Sequence, residues 1–234
     1  MKKRAQTAIV TGAGTGIGRE IARRLLAMNH GVALVGRTES TLRETAEADE
    51  EGSLIIPGDI GSAETCARIV ERTLEHFGGV DVLVNNAGVA PLEKIGETSQ
   101  DTIRSCLAIN LEGPMNLVIS CWPHFTSQRR GCIVNISSVA SIDPFPGFLA
   151  YAASKSGLDS VTRSIVAEGA ISGIRGFTIN PGAVETAMLR ANFDTTLLPE
   201  ENTLRPADIA DFAIGCIRGD HDDLQGRQNP ISRT

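Results

Sequence analysis

The chain has 234 residues, 41% of them hydrophobic, which is enough to bury a full core and within the range of one α/β domain. A formal charge of −6, with no basic stripe or long block of like charge, excludes a nucleic-acid footprint and favours a small-molecule substrate. No apolar run approaches a membrane span, and five cysteines without a C-x-x-C spacing exclude a disulfide framework or a zinc site.

The opening Met1-Lys2-Lys3-Arg4 has the charge of a signal-peptide start, but only Ala8-Ile9-Val10 follows before a glycine loop, so the expected location is the cytoplasm. Short apolar runs then alternate with segments of helical period, the mark of repeated βαβ units. Strands are predicted at 7–10, 32–35, 54–56, 82–84, 132–136 and 176–179. The expected fold is a single Rossmann-type domain over 1–234: a doubly wound parallel β-sheet flanked by helices on both faces.

Directly after the first strand stands Thr11-Gly12-Ala13-Gly14-Thr15-Gly16-Ile17-Gly18, opening into a helix from about Gly16 with Ile17, Ile21, Leu25 and Met28 on one face. Such glycines let backbone N–H groups approach a pyrophosphate, and the helix N-terminus adds partial positive charge. The spacing is T-G-x-x-x-G-x-G and not G-x-G-x-x-G.

The second strand ends Val35-Gly36-Arg37-Thr38, with no carboxylate for a ribose hydroxyl and an arginine suited to a 2′-phosphate, so NADP is favoured over NAD. The alternative for Arg37 is a solvated surface residue paired with Glu39. Asp59 and Ile60 follow the third strand. Ser62 is placed to cap a helix that carries Cys66, Ile69, Val70, Thr73 and Phe77 inward. Asn85-Asn86-Ala87-Gly88 follows the fourth strand.

Further helices are predicted from about 99 to 120, 150 to 168 and 206 to 217, the last opening with Pro206 in its first turn. Residues 187–203 form a long connection read as a mobile lid. The four histidines, at 30, 76, 124 and 221, show no ligand spacing and are expected at the surface or at helix caps, so no metal is expected.

Tyr151, the only tyrosine, and Lys155, one of four lysines, lie one helical turn apart. A free phenol titrates near pH 10, about three units too high for a base at neutral pH, and a neighbouring ammonium would lower it.

These motifs, in this order, resemble the short-chain dehydrogenase/reductase family, and the resemblance runs to about Ile217. It implies a hydride-transferring oxidoreductase that interconverts a carbonyl and a secondary alcohol. Tyr151 would be its acid and base, Ser138 would hold the substrate oxygen, Lys155 would assist the phenol and hold the nicotinamide ribose, and Asn110 would hold a relay water.

By the same resemblance Gly12, Gly14, Thr15, Gly16, Ile17, Gly18, Arg37, Asp59, Ile60, Asn86, Ala87, Gly88, Tyr151, Lys155, Pro181, Gly182, Val184 and Thr186 contact the dinucleotide. Ser138, thirteen residues before Tyr151, is preferred over Ser137. The pocket walls are expected from Val139, Ala140, Phe145, Phe148, Ala183 and the 187–203 lid, including Met188 and Phe193.

The chain most resembles 3-oxoacyl-(acyl-carrier-protein) reductases, in which basic residues dock an acidic carrier. Arg129 occupies one of those positions, and Ser172, uncharged, the other. The expected assembly is a homodimer or homotetramer; the family's D-G-G ending is absent, which counts against the tetramer interface around the final strand and leaves the helix-mediated dimer. An alcohol or sugar dehydrogenase of the family and a non-catalytic dinucleotide-binding regulator are the alternatives.

Overall fold

The computed structural model describes residues 4–233; Met1, Lys2, Lys3 and Thr234 lie outside them, and with them most of the basic cluster compared above with a signal-peptide start. The apolar runs form parallel strands β1 (Thr7–Thr11), β2 (Gly31–Gly36), β3 (Ser53–Pro57), β4 (Val82–Asn85), β5 (Gly131–Ile136), β6 (Ile174–Pro181) and β7 (Pro230–Ile231). They make one sheet in the order β3-β2-β1-β4-β5-β6-β7. Every expected strand lies inside an observed one.

Both faces of the sheet are covered, which is why the strands read as unbroken apolar runs. Successive side chains divide between two cores: in β1, Ala8 and Val10 enter one and Ile9 the other; in β5, Val134 and Ile136 oppose Ile133. Helices α1 (Gly16–Ala27), α2 (Glu39–Ala46) and α8 (Pro206–Arg218) close the first core with Ile21, Leu25, Leu42 and Ile209. On the other face α3 (Ala63–Phe77), α5 (Gly113–Gln128) and α6 (Leu149–Gly169) contribute Ile69, Leu117 and Ile165.

Several helix details differ from expectation. α1 buries Ile21 and Leu25, but Met28 is its C-cap and largely exposed, because Asn29 takes a φ of 63° and turns the chain away. Ser62 does cap α3, accepting the Thr65 N–H at 3.3 Å. Cys66, Ile69, Val70 and Thr73 are buried, whereas Phe77 is half-buried against Gly31. His30 is buried with its Nδ1 unpartnered among the described residues, and burial lowers its pKa; it is no surface residue.

The helix expected at 99–120 is α4 (Gln100–Leu107), a π turn (Ala108–Glu112) and α5 in one continuous run. Pro114 has no N–H to return to the preceding turn, and the Gly113 N–H reaches back to the Ala108 carbonyl, so the helix widens at Asn110. Residues 187–203 contain a short helix, α7 (Ala187–Arg190), and a 3-10 turn (Glu200–Asn202). Arg190 pairs with Glu185 and donates to the Leu198 carbonyl at 2.7 Å, so the segment is internally braced. Among the described residues no helix is long and apolar enough to cross a membrane.

Phe177 on β6 is fully buried in the core beneath α8. Phe177→Ala is expected to lower unfolding stability by about 3–5 kcal/mol, read as a reduced midpoint in urea; a loss below about 1 kcal/mol would mean that the site collapses around the void.

Candidate active site

The sheet order reverses between β1 and β4, so the chains leaving their carboxyl ends part and leave a crevice. Thr11 seals its base. Its hydroxyl accepts the N–H groups of Asn86 and Ala87, each at 3.0 Å, and donates to the Val84 carbonyl at 3.3 Å. Asn86 returns its side-chain amide to the carbonyls of Thr11 at 2.9 Å and Gly12 at 3.3 Å.

The glycine loop sits above this clamp. Gly12, with φ of 64°, takes a left-handed turn that a side chain would strain. Gly18 is buried in the first turn of α1, and a Cβ there would overlap the Gly12 carbonyl oxygen and the Asn86 amide. The loop is tied from behind by the Thr45 hydroxyl on the Ala13 carbonyl at 2.9 Å and the Arg19 guanidinium on the Gly14 carbonyl at 2.8 Å. Thr15, the N-cap of α1, spends no side-chain group on the first-turn N–H groups, leaving them for an anion. A pyrophosphate needs a cradle of this kind, so the loop fits a dinucleotide.

A cavity of about 670 Å³ runs from this loop to the end of β5. Gly12, Gly14, Thr15, Gly16 and Ile17 line it from the loop, and Arg37, Asp59 and Ile60 from the ends of β2 and β3. Asn86, Ala87 and Gly88 follow from β4, and Pro181, Gly182, Val184 and Thr186 from β6. Ser138, Tyr151 and Lys155 complete it, together with all seven expected wall residues from Val139 to Phe193.

Two of the expected site residues stand behind the lining: Gly18, expected to contact the dinucleotide, and Asn110, expected to hold a relay water. Asn110, in the π turn, accepts the Val89 N–H at 2.9 Å and donates to the Val89 carbonyl at 2.9 Å and the Ser154 hydroxyl at 3.0 Å. Its side chain clamps the segment after β4 to α6.

At the catalytic end, Ser138 lines the cavity beside Tyr151, where its hydroxyl favours the ionised phenol, and accepts the Ala140 N–H at 3.1 Å. Ser137 points elsewhere, donating to the Lys155 backbone carbonyl at 3.3 Å. The Lys155 ammonium donates to the Ile136 carbonyl at 2.7 Å and lies 5.9 Å from the Tyr151 ring centroid.

The family model described as short chain dehydrogenase matches residues 6–196. The chain belongs to the short-chain dehydrogenase family. Among curated relatives, 2-(R)-hydroxypropyl-CoM dehydrogenase of Xanthobacter autotrophicus is 36% identical over 204 residues, covering 84% of this chain and 82% of that protein. An uncharacterized oxidoreductase of Staphylococcus epidermidis is 29% identical, with 91% of each chain covered.

Among solved structures, a 3-ketoacyl-(acyl-carrier-protein) reductase from Brucella melitensis, complexed with NADH, has a TM-score of 0.91 at 26% identity, covering 98% of this chain and 97% of that one. Levodione reductase has a TM-score of 0.90 at 25% identity, covering 99% and 97%. This short-chain dehydrogenase is accordingly a dinucleotide-dependent oxidoreductase of the family that acts on alcohols and ketones.

The electrostatics of its site depart from the sequence expectation. Burial pushes the Tyr151 phenol up, only partly offset by the Ser138 hydrogen bond, and the ammonium does not pull it down. Burial instead lowers Lys155 to about 8, against a raising influence from Asp159 and Cys106. The lysine is solvated by a backbone carbonyl, and its charge is not directed at the phenol oxygen.

Sequence reasoning missed Thr38 and Thr41 at one end of the cavity; at the other, Asn192, Leu197 and Leu198 lie in the 187–203 segment expected to wall it, though none was singled out. The first two bracket the start of α2, a helix too short and polar to announce itself. The Thr41 hydroxyl donates to the Thr38 carbonyl at 2.9 Å. Asn192 carries no family signal, yet its amide donates to the Ala90 carbonyl at 2.7 Å and ties residues 187–203 across the cavity mouth.

An alanine at Gly18 would have to displace the Gly12 backbone or the Asn86 amide. Gly18→Ala should cost about 1–3 kcal/mol of loop stability and weaken dinucleotide binding at least about tenfold by fluorescence titration. An unchanged Kd would show that the loop yields at no cost.

Proposed function

We propose that this short-chain dehydrogenase is an NADP(H)-dependent reductase of uncharged carbonyl compounds, with Tyr151 as the acid that protonates the developing alkoxide. The placement of Ser138 and Tyr151 together in the lining of the dinucleotide cavity, with Lys155 beside them, carries this reading. The bound nicotinamide cofactor supplies hydride.

The rest is work for this chain's own groups. Ser138 and Tyr151 converge their hydroxyls on one carbonyl oxygen, which fixes the carbonyl carbon's orientation. Because burial holds the phenol up, Tyr151 is protonated at physiological pH and stands ready as an acid, which favours reduction. Lys155, charged below about 8, offers its ammonium to a ribose hydroxyl. Asn110 ties the segment after β4 to α6 through Val89 and Ser154, so the lining that would hold a nicotinamide stays fixed, and holding a relay water would extend the same role.

The NADP preference rests on Arg37. Its guanidinium lines the cavity with no ion-pair partner among the described residues, since Glu39 pairs with Arg43. A free guanidinium at the end of β2, beside Gly36, bonds a 2′-phosphate with charge assistance and a ribose hydroxyl only weakly. The substrate end is walled by Phe145, Phe148, Phe193, Met188 and Leu197, which suits an apolar ketone better than a sugar.

A 3-oxoacyl thioester is the second reading, favoured by the structural likeness to 3-ketoacyl-(acyl-carrier-protein) reductases. Against carrier docking, Arg129 donates to the Ile171 carbonyl at 2.9 Å, and Ser172 adds no charge. Five buried free cysteines suit a cytoplasmic setting. A two-residue β7 favours a homodimer through the helices over a tetramer built around that strand.

Tyr151→Phe should lower kcat for ketone reduction by at least about a hundredfold while the NADPH Kd stays within about twofold. Turnover at the wild-type rate would sink the role given to the phenol. In Arg37→Ala, the ratio of kcat/KM with NADPH to that with NADH should fall by about tenfold, and a constant ratio would remove the basis for the NADP assignment.

A further inference from the structure

Behind the catalytic residues lies a buried polar cluster that the proposed reaction does not use. Asp159, one turn beyond Lys155 on α6, is 2% exposed. Its carboxylate receives the Ser141 hydroxyl at 2.7 Å, the Gln228 amide at 2.7 Å and the Asn180 amide at 3.2 Å. All three donors are neutral. A buried carboxylate held without a cation in contact is a costly occupant of a position where an apolar side chain would pack more cheaply.

Its neighbours point to a use. Ser141 and Asn180 also reach the Ser138 carbonyl, at 2.7 Å and 3.4 Å, and Asn180 donates to the Ser141 hydroxyl at 3.0 Å. The single hydroxyl proton of Ser141 is therefore divided between the carboxylate and the backbone of the substrate-holding serine. Gln228 comes from the segment before β7, and Asn229 next to it donates its N–H to the Asn180 side chain at 2.8 Å. The segment before β7 thus closes the cluster.

In the other direction the cluster faces Lys155. The groups whose charge acts on that ammonium are Asp159 on its own helix and Cys106 from α4. Burial pushes the Cys106 thiol up, so it is neutral at physiological pH, as is the Tyr151 phenol. β5 presents the Ile136 carbonyl. The π turn and the segment after β4 present Asn110 and Gly88, which are uncharged. Asp159 is the remaining anion.

We propose that Asp159 is a positioning residue: through Ser141 and Asn180 it anchors the Ser138 backbone, and one turn along α6 it is the counter-charge that Lys155 faces. This inference rests on the roles given above to Ser138, Tyr151 and Lys155.

The sign of its effect follows from the lysine. Burial lowers Lys155 to about 8 and Asp159 raises it, so removing the carboxylate lowers it further and the ammonium is lost at lower pH.

The test is ketone reduction by the full chain across the pH range for wild type, Asp159→Asn, Asp159→Glu and Ser141→Ala. A thermal melt and the NADPH Kd accompany each variant, and Tyr151→Phe is run in parallel. Asp159→Asn should move the alkaline limb of kcat down by about one pH unit, and Asp159→Glu should return it towards wild type. Ser141→Ala, which keeps the charge, should lower kcat by about three- to tenfold and leave the limb in place.

An unmoved limb in an Asp159→Asn protein that melts cooperatively and binds NADPH overturns the inference. So does a wild-type kcat in Ser141→Ala, which decides the matter even if Asp159→Asn does not fold. Lost activity in Tyr151→Phe beside an unmoved limb in Asp159→Asn defeats this inference alone. Retained activity in Tyr151→Phe defeats the parent reading and this one with it.

Discussion

Lys155 carries its ammonium to a place that water barely reaches, and much of the surrounding architecture answers that cost. Only 4% of the residue is exposed, and its Nζ is held by the Ile136 carbonyl at the end of β5. A charge withdrawn from water survives when polar groups replace its hydration shell, and it titrates more easily when they do so incompletely. Lys155 does both: it is bonded, and it is lowered to about 8. Gly88 packs close by: a Cβ there would press on the Asn110 Oδ1 at 3.1 Å and stand in ordinary contact with Nζ at 3.6 Å.

The sheet gives this charge its setting. All strands are parallel, so their carboxyl ends lie on one side, and the reversal at β1 and β4 opens the crevice there. Thr11 and Asn86 hold that opening at a fixed width with bonds that involve no ligand. Two unlike tasks thereby share one cavity. The loop end offers N–H groups and a free guanidinium to anions, and the far end offers carbon surface around two hydroxyls.

The parts legible in the sequence were those with a local period or a contiguous motif. Buried parallel strands are short apolar runs, and the glycine loop, Asn86-Ala87-Gly88 and the Tyr151–Lys155 spacing each occupy a few consecutive residues. α2 escaped because its eight residues bury only Leu42, Thr45 and Ala46, too few to reveal a period. The π turn escaped because it is a change in backbone bonding around Pro114, with no hydrophobic signature. Asp159 escaped for a different reason: Ser141, Asn180 and Gln228 come from three separate segments and meet only in the folded chain. The phenol's titration was misread because a one-turn spacing fixes which face Lys155 shares with Tyr151, and not where the ammonium finds its partner.

Residues 187–203 join substrate choice to acid strength. Phe148 stands between Tyr151 and Phe193, with ring centroids 5.4 Å and 6.2 Å away, both tilted. Asn192 fixes the adjacent backbone to the Ala90 carbonyl, and the Glu93 N–H bonds the Gly147 carbonyl at 2.9 Å, so both sides of the cavity mouth are held. The aromatic surface that would receive an apolar ketone is thus continuous with the surface that packs on the half-buried Tyr151 ring. Desolvation is the first cause of the raised Tyr151 pKa. Admitting polar substrates by replacing Phe148 or Phe193 would wet the same phenol and lower it towards its solution value, so specificity and proton donation in this site cannot be altered independently.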